Sequence, residues 1–289
     1  MIDIDAEIYT EFKCKADKCK HSCCKGWEID IDDDTLDYYM SINTDLGNEI
    51  RQNIREGEDT FFKLTEDERC PFLKDNGLCK IIEELGEDGL CDICRLHPRF
   101  FVDINDYSMA GVGLSCERAA ELIFEKKNLD FIMCESKKKI GFKELLDLLG
   151  IEIPQKFLEL SKILPDHLKE SQMEKILDIF LATEPIDPNW ENEVKLLQES
   201  LSDFPGNLDD NYLNKFEVIY HYIIFRQLEL IEQHGYKKVI DYAICSIIFI
   251  MLYANKFHDD LEAVRRWSEQ IEYNEDNIEL IINKLSSFY

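Results

Sequence analysis

The sequence predicts a mainly α fold in two parts: a cysteine-rich, metal-bound N-terminal region with short hairpins, and an all-helical C-terminal region. Two observations carry this reading. Nine of the eleven cysteines fall between residues 14 and 116. From about residue 137 cysteine nearly vanishes and helical periodicity takes over. The expected division is therefore 1–136 for a cysteine-rich metal-binding domain and 137–289 for an α-helical domain.

Bulk properties set the limits. A chain of 289 residues, 45% hydrophobic and 32% charged, can bury a core without staples and form one large or two ordinary domains. The net charge of -27 is split almost evenly between the first 120 residues and the remainder. Such a surface repels phosphate backbones, so nucleic acid is excluded as a partner. It attracts lysine-rich partners, and it also serves simple solubility. The opening Met1-Ile2-Asp3-Ile4-Asp5 lacks the basic and apolar segments of a secretory signal. The longest apolar run, 242–254, falls short of a membrane span. No membrane partner and a cytoplasmic location are the expectations, and in that compartment clustered thiols serve metals more often than disulfides.

The elements follow in order. Ile8, Tyr9 and Phe12 form an apolar lead into Cys14. Trp27, Ile29 and Ile31 alternate with polar residues as in a short strand. Asp33 or Asp34 reads as the N-cap of a helix holding Leu36, Tyr39 and Met40. The acidic run Asp30, Asp32, Asp33 and Asp34 lacks the glycine and later glutamate of a calcium loop, so it reads as a solvated turn. A polar helix is expected over 43–56. Asn76-Gly77 predicts a hairpin that brings Cys70 and Cys79 together. A second hairpin is predicted for 100–112 around Asn105-Asp106, and Cys116 opens a helix over 117–127. Gly111-Val112-Gly113 reads as a turn rather than a dinucleotide loop. The later helices are expected at 142–149, 155–163, 172–181, 191–201, 208–233, 237–253, 259–271 and 276–288, with prolines 154, 165, 185, 188 and 205 between them.

The cysteines carry the chemistry. Cys91-Asp92-Ile93-Cys94 is a C-x2-C knuckle, a spacing that turns two sulfurs onto one ion. Cys14, Cys19, Cys23 and Cys24 form a second set, with Cys70, Cys79 and Cys116 completing nine candidate ligands. Adjacent Cys23 and Cys24 point apart on a regular backbone, so one of them serves another site or none. Nine thiols allow up to two four-sulfur sites. Many cysteines and few histidines favour an iron–sulfur cluster, with zinc as the alternative and His21 or His97 as substitutes for a thiolate.

The ordered set Cys14…Cys19…Cys23-Cys24-Lys25-Gly26-Trp27, Cys70-Pro71-Phe72-Leu73, Leu78-Cys79, Cys91…Cys94-Arg95, Pro98-Arg99 and Leu114-Ser115-Cys116-Glu117 resembles the flagellin lysine-N-methylase family. That family sits within a wider group of bacterial proteins with a zinc- or iron-chelating cysteine cluster. The match covers about the first 120 residues; Tyr212-Leu213 and Ile224-Phe225-Arg226 are similar to a tyrosine- and arginine-bearing helix of the family. The resemblance implies methyl transfer from S-adenosylmethionine to lysines of flagellin by a bacterial cytoplasmic enzyme. The runner-up is a non-catalytic iron–sulfur or zinc module that carries electrons or scaffolds a complex.

Methylation of lysine by displacement needs a neutral amine, because lysine's ordinary pKa is about 10.4. A tyrosine or carboxylate must take or relay the proton. Tyr212, Tyr220 and Glu217 are the candidates, with Tyr222 and Arg226 on the same predicted helix; aromatic core packing and an interhelical ion pair are the competing roles. Arg95 and Arg99, beside the cysteines, are candidates for an anionic group of the cofactor, with Arg118 a third.

Overall fold

The computed structural model describes residues 1–55, 57, 60–205 and 208–285. The chain forms two compact units. One is Met1–Phe12 with Arg99–Tyr289; the other is Lys13–Pro98. The units part at 12/13 and at 98/99, whereas the compositional shift lies near 136. Cysteine density follows the smaller unit, but residues 99–136 belong to the larger one.

The larger unit is built on a five-stranded mixed sheet. Its strands are β1 (Ile2–Ala6), β4 (Arg99–Ile104), β5 (Tyr107–Val112), β6 (Asp130–Met133) and β7 (Lys139–Gly141), in the order β4-β5-β1-β6-β7; β2 (Ile54–Arg55) and β3 (Phe61–Phe62) pair in the other unit. β1 runs parallel to β5, with Ile4 opposite Met109, and antiparallel to β6. Alternation explains its placement: Ile4 and Ala6 are fully buried between acidic residues that point away. The β4–β5 hairpin forms as expected, and Asn105 takes the left-handed conformation at its turn, which asparagine tolerates.

This sheet corrects the expected fold class. The region after residue 137 is not all-helical, since β7 lies in it, and the N-terminal residues are not one cysteine-rich metal-bound body, since β1, β4, β5 and β6 join the sheet. The fold is α+β. Short strands of four or five residues give too little period-2 signal to read alone, and β1 gains its identity only from partners a hundred residues away.

The helices match their expected places more closely. They span Phe142–Leu149, Glu170–Leu181, Trp190–Glu199, Asp210–Arg226, Leu230–His234, Tyr236–Phe257, Asp260–Trp267 and Glu275–Leu285. The stretch 155–163 breaks into a 3-10 turn and one short helix, and 208–233 breaks at Gln227. The helix expected to reach 271 gives way after Trp267 to a π-helical turn, Ser268–Glu272. Residues 286–288 of the last expected helix lie outside the described residues. Tyr236–Phe257 is long and apolar enough to cross a membrane by length and composition, longer than the apolar run within it; 83% of its most apolar window is buried inside the protein. It is the central helix of this unit's core, and Phe180 and Trp190 pack on its Phe249.

In the smaller unit, Ile29 and Ile31 are buried as their alternation predicts, but the segment makes only an isolated bridge, Asp30 to Phe61. The helix Asp33–Ser41 is capped by Asp32 rather than Asp33 or Asp34. The polar helix is Asp45–Gln52, capped by Thr44; position 56 is outside the described residues. Gly77, in the left-handed region, closes the turn that sets Leu73 against Cys79.

Candidate functional site

Five thiols meet in the core of the smaller unit, and local backbone bonds place each. The Cys70 amide donates to the Cys24 carbonyl at 2.9 Å. The Gly77 turn returns the chain so that the Lys80 amide donates to Phe72 O at 2.8 Å, seating Cys79 beside Cys70. Cys91 is the N-cap of the short helix Asp92–Leu96, and the Cys94 amide donates to Cys91 O at 3.0 Å. Cys70 and Cys91 are buried; Cys24, Cys79 and Cys94 pack half-buried on the same cluster with Tyr39, Phe72 and Ile81.

These thiols sense one another. Burial, then the neighbouring Cys24, Cys79 and Cys91, pushes the Cys70 thiol up to about 12. Burial raises Cys79 as well. The hydrogen bond between Cys91 and Cys94 raises Cys94 and lowers Cys91. Cys24 is lowered to about 7, chiefly by the Cys23 side chain, with help from the Ser22 hydroxyl. Protons crowd this cluster because several thiolates cannot ionise together in an apolar setting. A thiophilic cation would reverse that preference, so the donor set fits zinc or iron in its chemistry. No shell is preformed: among the described residues, no three His, Cys, Asp or Glu side chains are arranged to hold a metal ion. No disulfide joins any of the eleven cysteines.

Of the other expected ligands, Cys23 meets the cluster through its hydrogen bond with Cys24. Cys14 is exposed, its sulfur accepting the Ala16 amide at 3.4 Å. Cys23 is exposed and Cys19 half-buried. Cys116 caps the helix Glu117–Phe124 of the larger unit. His21 is exposed, and the His97 ring lies 6.3 Å from Trp27.

The candidate cofactor and catalytic residues are held in structural roles. Arg95 pairs with Asp92 at the surface. Arg99 lies over the rings of Phe12 and Tyr9, at 5.4 and 6.0 Å. Arg118 bridges Glu121 and Glu125. Tyr220 donates to Phe157 O at 2.7 Å, and Glu217 accepts the Leu160 amide at 3.0 Å, so both tie down the 157–160 turn. Tyr212 packs on Phe216, and burial raises it to about 12.

Tyr222 and Arg226, on the same helix, lead instead to a carboxylate that sequence reasoning missed. Glu272 ends the π-helical turn with a fully buried side chain. Its Oε1 accepts Tyr222 Oη at 2.5 Å and Arg226 Nε at 3.1 Å, and its Oε2 accepts Ser268 Oγ at 2.5 Å. Burial, then the Glu272 charge, pushes the Tyr222 phenol well up. Arg226 lies 4.2 Å from the centre of the Phe100 ring. That ring fits because β5 carries Gly111, where a Cβ would sit 2.3 Å from Phe100 Cζ. Gly113, just past β5, makes the same allowance for Tyr273: a Cβ there would be 1.9 Å from its Oη. Gly111 and Gly113 are thus close-approach points, and Gly111 lies in a strand rather than in the expected turn. The Tyr273 ring is 46% exposed, yet its hydroxyl points inward to Ser115. Tyr242 and Ser246 lie one turn apart on the central helix, wholly buried, and their hydroxyls face each other. Tyr242 is within electrostatic reach of Glu272 and Arg226. Single π-helical turns occur often at functional sites. No periodicity in Trp267-Ser268-Glu269-Gln270-Ile271-Glu272 announces this one.

Over 124 aligned residues, 39% of the chain, the protein is 28% identical to the lysine-N-methylases of Salmonella typhimurium strain LT2 and Salmonella choleraesuis. The chain resembles the flagellin lysine-N-methylases. The match spans 30% of the length of those two methylases. It is also 28% identical to the flagellar biosynthetic protein FliU of Salmonella muenchen, covering 72% of that protein. The resemblance expected from the cysteine motifs is borne out at this level. No family model matches the chain, and no solved structure matches it.

Proposed function

We propose that this protein is a protein-lysine N-methyltransferase that uses S-adenosylmethionine to methylate exposed lysines of flagellin or a similar protein. The observation that carries the reading is the 28% identity over 124 residues to lysine-N-methylases. The acidic surface supports it, since a net charge of -27 draws a lysine-bearing partner and speeds encounter.

Cys24, Cys70, Cys79, Cys91 and Cys94 would hold a metal group. As an iron–sulfur cluster it would supply one-electron chemistry, and as zinc a structural tie. Around it, the chain's own residues exclude water: Tyr39, Phe62 and Phe72 wall the thiols, with ring centroids of the last two 5.0 Å apart.

The test is transfer of labelled methyl from S-adenosylmethionine to purified flagellin by anaerobically purified protein, with mass spectrometry of the lysines. Methyl-lysine is the expected product. Absence of label, with no calorimetric binding of S-adenosylmethionine, would overturn the reading and leave a thiolate module without transferase activity.

A further inference from the structure

We infer that a basic cavity in the smaller unit, between residues 16–25 and the turn 69–77, is a binding site for a small oxyanion, a phosphate group in chemical class. Charge marks the place first. Acidic residues outnumber basic ones by 60 to 33 over the whole chain, yet residues 13–25 hold five lysines and one aspartate. Folding then adds cations from a distant segment. The cavity, about 180 Å³ in volume, is lined by Lys20, Lys25, Arg69 and Lys74, with Asp17 and Asp75 as its acids. One water needs only about 10–15 Å³, so the space suits a larger solute. Backbone contacts fix its walls. The Gly26 amide donates to Glu68 O at 2.9 Å, and Lys25 bridges to Arg69. Gly77 lies in the left-handed region, and a Cβ there would stand 3.1 Å from Asp17 Cα, so the turn packs directly on the Ala16–Lys18 segment.

The side chains select an oxyanion. Arg69 is half-buried, and its Nη2 donates to Leu73 O and Lys74 O, both at 3.4 Å. Among the described residues its Nη1 makes no hydrogen bond, which leaves two donors of a fixed planar fork for a ligand. Such a fork suits the oxygens of phosphate, and lysines beside it add point charges. Lys25 feels the charge of Asp67 but forms no ion pair of contact length among the described residues. Lys74 is already paired with Glu83 at 2.9 Å, so Lys25 and Arg69 are the principal contacts. A phosphate monoester carries about -1.5 to -2 charges at neutral pH, so adjoining cations favour it over a singly charged carboxylate. Long polyanions meet the acidic remainder of the surface and are repelled, whereas a small one needs only the cavity. Phosphate is no part of the methyl transfer proposed above, and either reading can fail without the other.

Inorganic phosphate is titrated calorimetrically into full-length, anaerobically purified protein at constant ionic strength, with acetate as the comparison. The expected result is saturable binding of one phosphate per chain, with acetate about tenfold weaker or more. Lys25→Gln and Arg69→Gln should each weaken phosphate binding by about tenfold, the usual worth of a charge-assisted contact. Lys18→Gln removes a charge from the same lysine run, but Lys18 does not line the cavity, and this variant should bind phosphate almost as the parent does. Arg69 also ties down Leu73 and Lys74, so circular dichroism and thermal melting check that its variant folds; Lys25 is exposed, and its variant decides the matter if the other does not fold. No saturable binding, or acetate as tight as phosphate, overturns the inference. Equal weakening by Lys18→Gln and Lys25→Gln also overturns it, and would mean that the lysine run attracts anions diffusely without a site.

Discussion

Asp32 binds Asp92 across sixty residues of chain: its Oδ2 accepts the Asp92 backbone amide at 2.8 Å while its Oδ1 accepts the Thr35 amide at 2.9 Å. One carboxylate therefore caps two helices, Asp33–Ser41 and Asp92–Leu96. The second of these carries the Cys91–Cys94 knuckle. The acidic run that could be mistaken for a calcium loop is instead a fastening for the thiol cluster.

Asp32→Ala should destabilise the smaller unit by about 1–2 kcal/mol at neutral pH, the usual range for losing such a cap. Burial opposes ionisation of Asp32, but the amides of Asp92 and Thr35 outweigh it and hold the carboxyl below its ordinary value. A depressed carboxyl contributes stability above its unfolded pKa of about 3.9 and loses it as pH falls through the folded value. Urea melts of parent and variant should therefore differ most at neutral pH and converge on acidification below about pH 4. A gap that persists undiminished in acid would show that the side chain's shape, not its charge, does the fastening.

Gly113→Ala should cost stability only through Tyr273. The added methyl meets the tyrosine first, since the three nearest atoms all belong to that side chain. In a double-mutant cycle, Gly113→Ala should lower the melting temperature of the parent and have almost no effect on Tyr273→Ala. Additive effects would mean that the strain lies in the backbone. Gly111→Ala should be worse, by about 1–3 kcal/mol, because it drives a methyl into the buried Phe100 ring.

Glu272→Ala should be severe, about 3–5 kcal/mol, because it leaves Arg226 charged and largely buried with its partner gone. Glu272→Gln should cost less, as it keeps acceptors for Tyr222 and Arg226. Chemical denaturation of both variants checks the order. Equal losses would indicate that the charge of Glu272, not its capacity to accept hydrogen bonds, carries the stability.

What could be read in advance was local. Asn76-Gly77 and Asn105-Asp106 named their turns because each needs a backbone conformation few residues tolerate, and Gly77 and Asn105 adopt it. Phe142–Leu149 was legible to the residue from its strong apolar face. The strand Ile2–Ala6 was not, because a five-residue strand is stable only between Tyr107–Val112 and Asp130–Met133. For the site, density in sequence flagged the thiols but could not sort them: Cys14, part of the same ordered set, is exposed and outside the cluster that gathers Cys70 and Cys91. Glu272 gave no signal, since its setting comes from a π-turn and from two glycines, one in β5 and one just past it, some 160 residues earlier.

The cysteines should divide sharply in metal analysis. Cys70, Cys79, Cys91 and Cys94 share one buried cluster with Cys24, and several of their thiols are pushed up by burial and by one another. A cation that converts them to thiolates relieves that crowding, so each serine substitution in the cluster should remove most of the bound metal. Cys14→Ser should leave metal content unchanged, as its thiol is exposed and stands outside the cluster. Metal and acid-labile sulfide are measured together on anaerobically purified parent and variants, with a visible spectrum. Iron with sulfide would mean a redox-capable cluster, and zinc without sulfide a structural tie. Loss of metal in Cys14→Ser with retention in Cys91→Ser would place the ligands outside the cluster and sink this assignment.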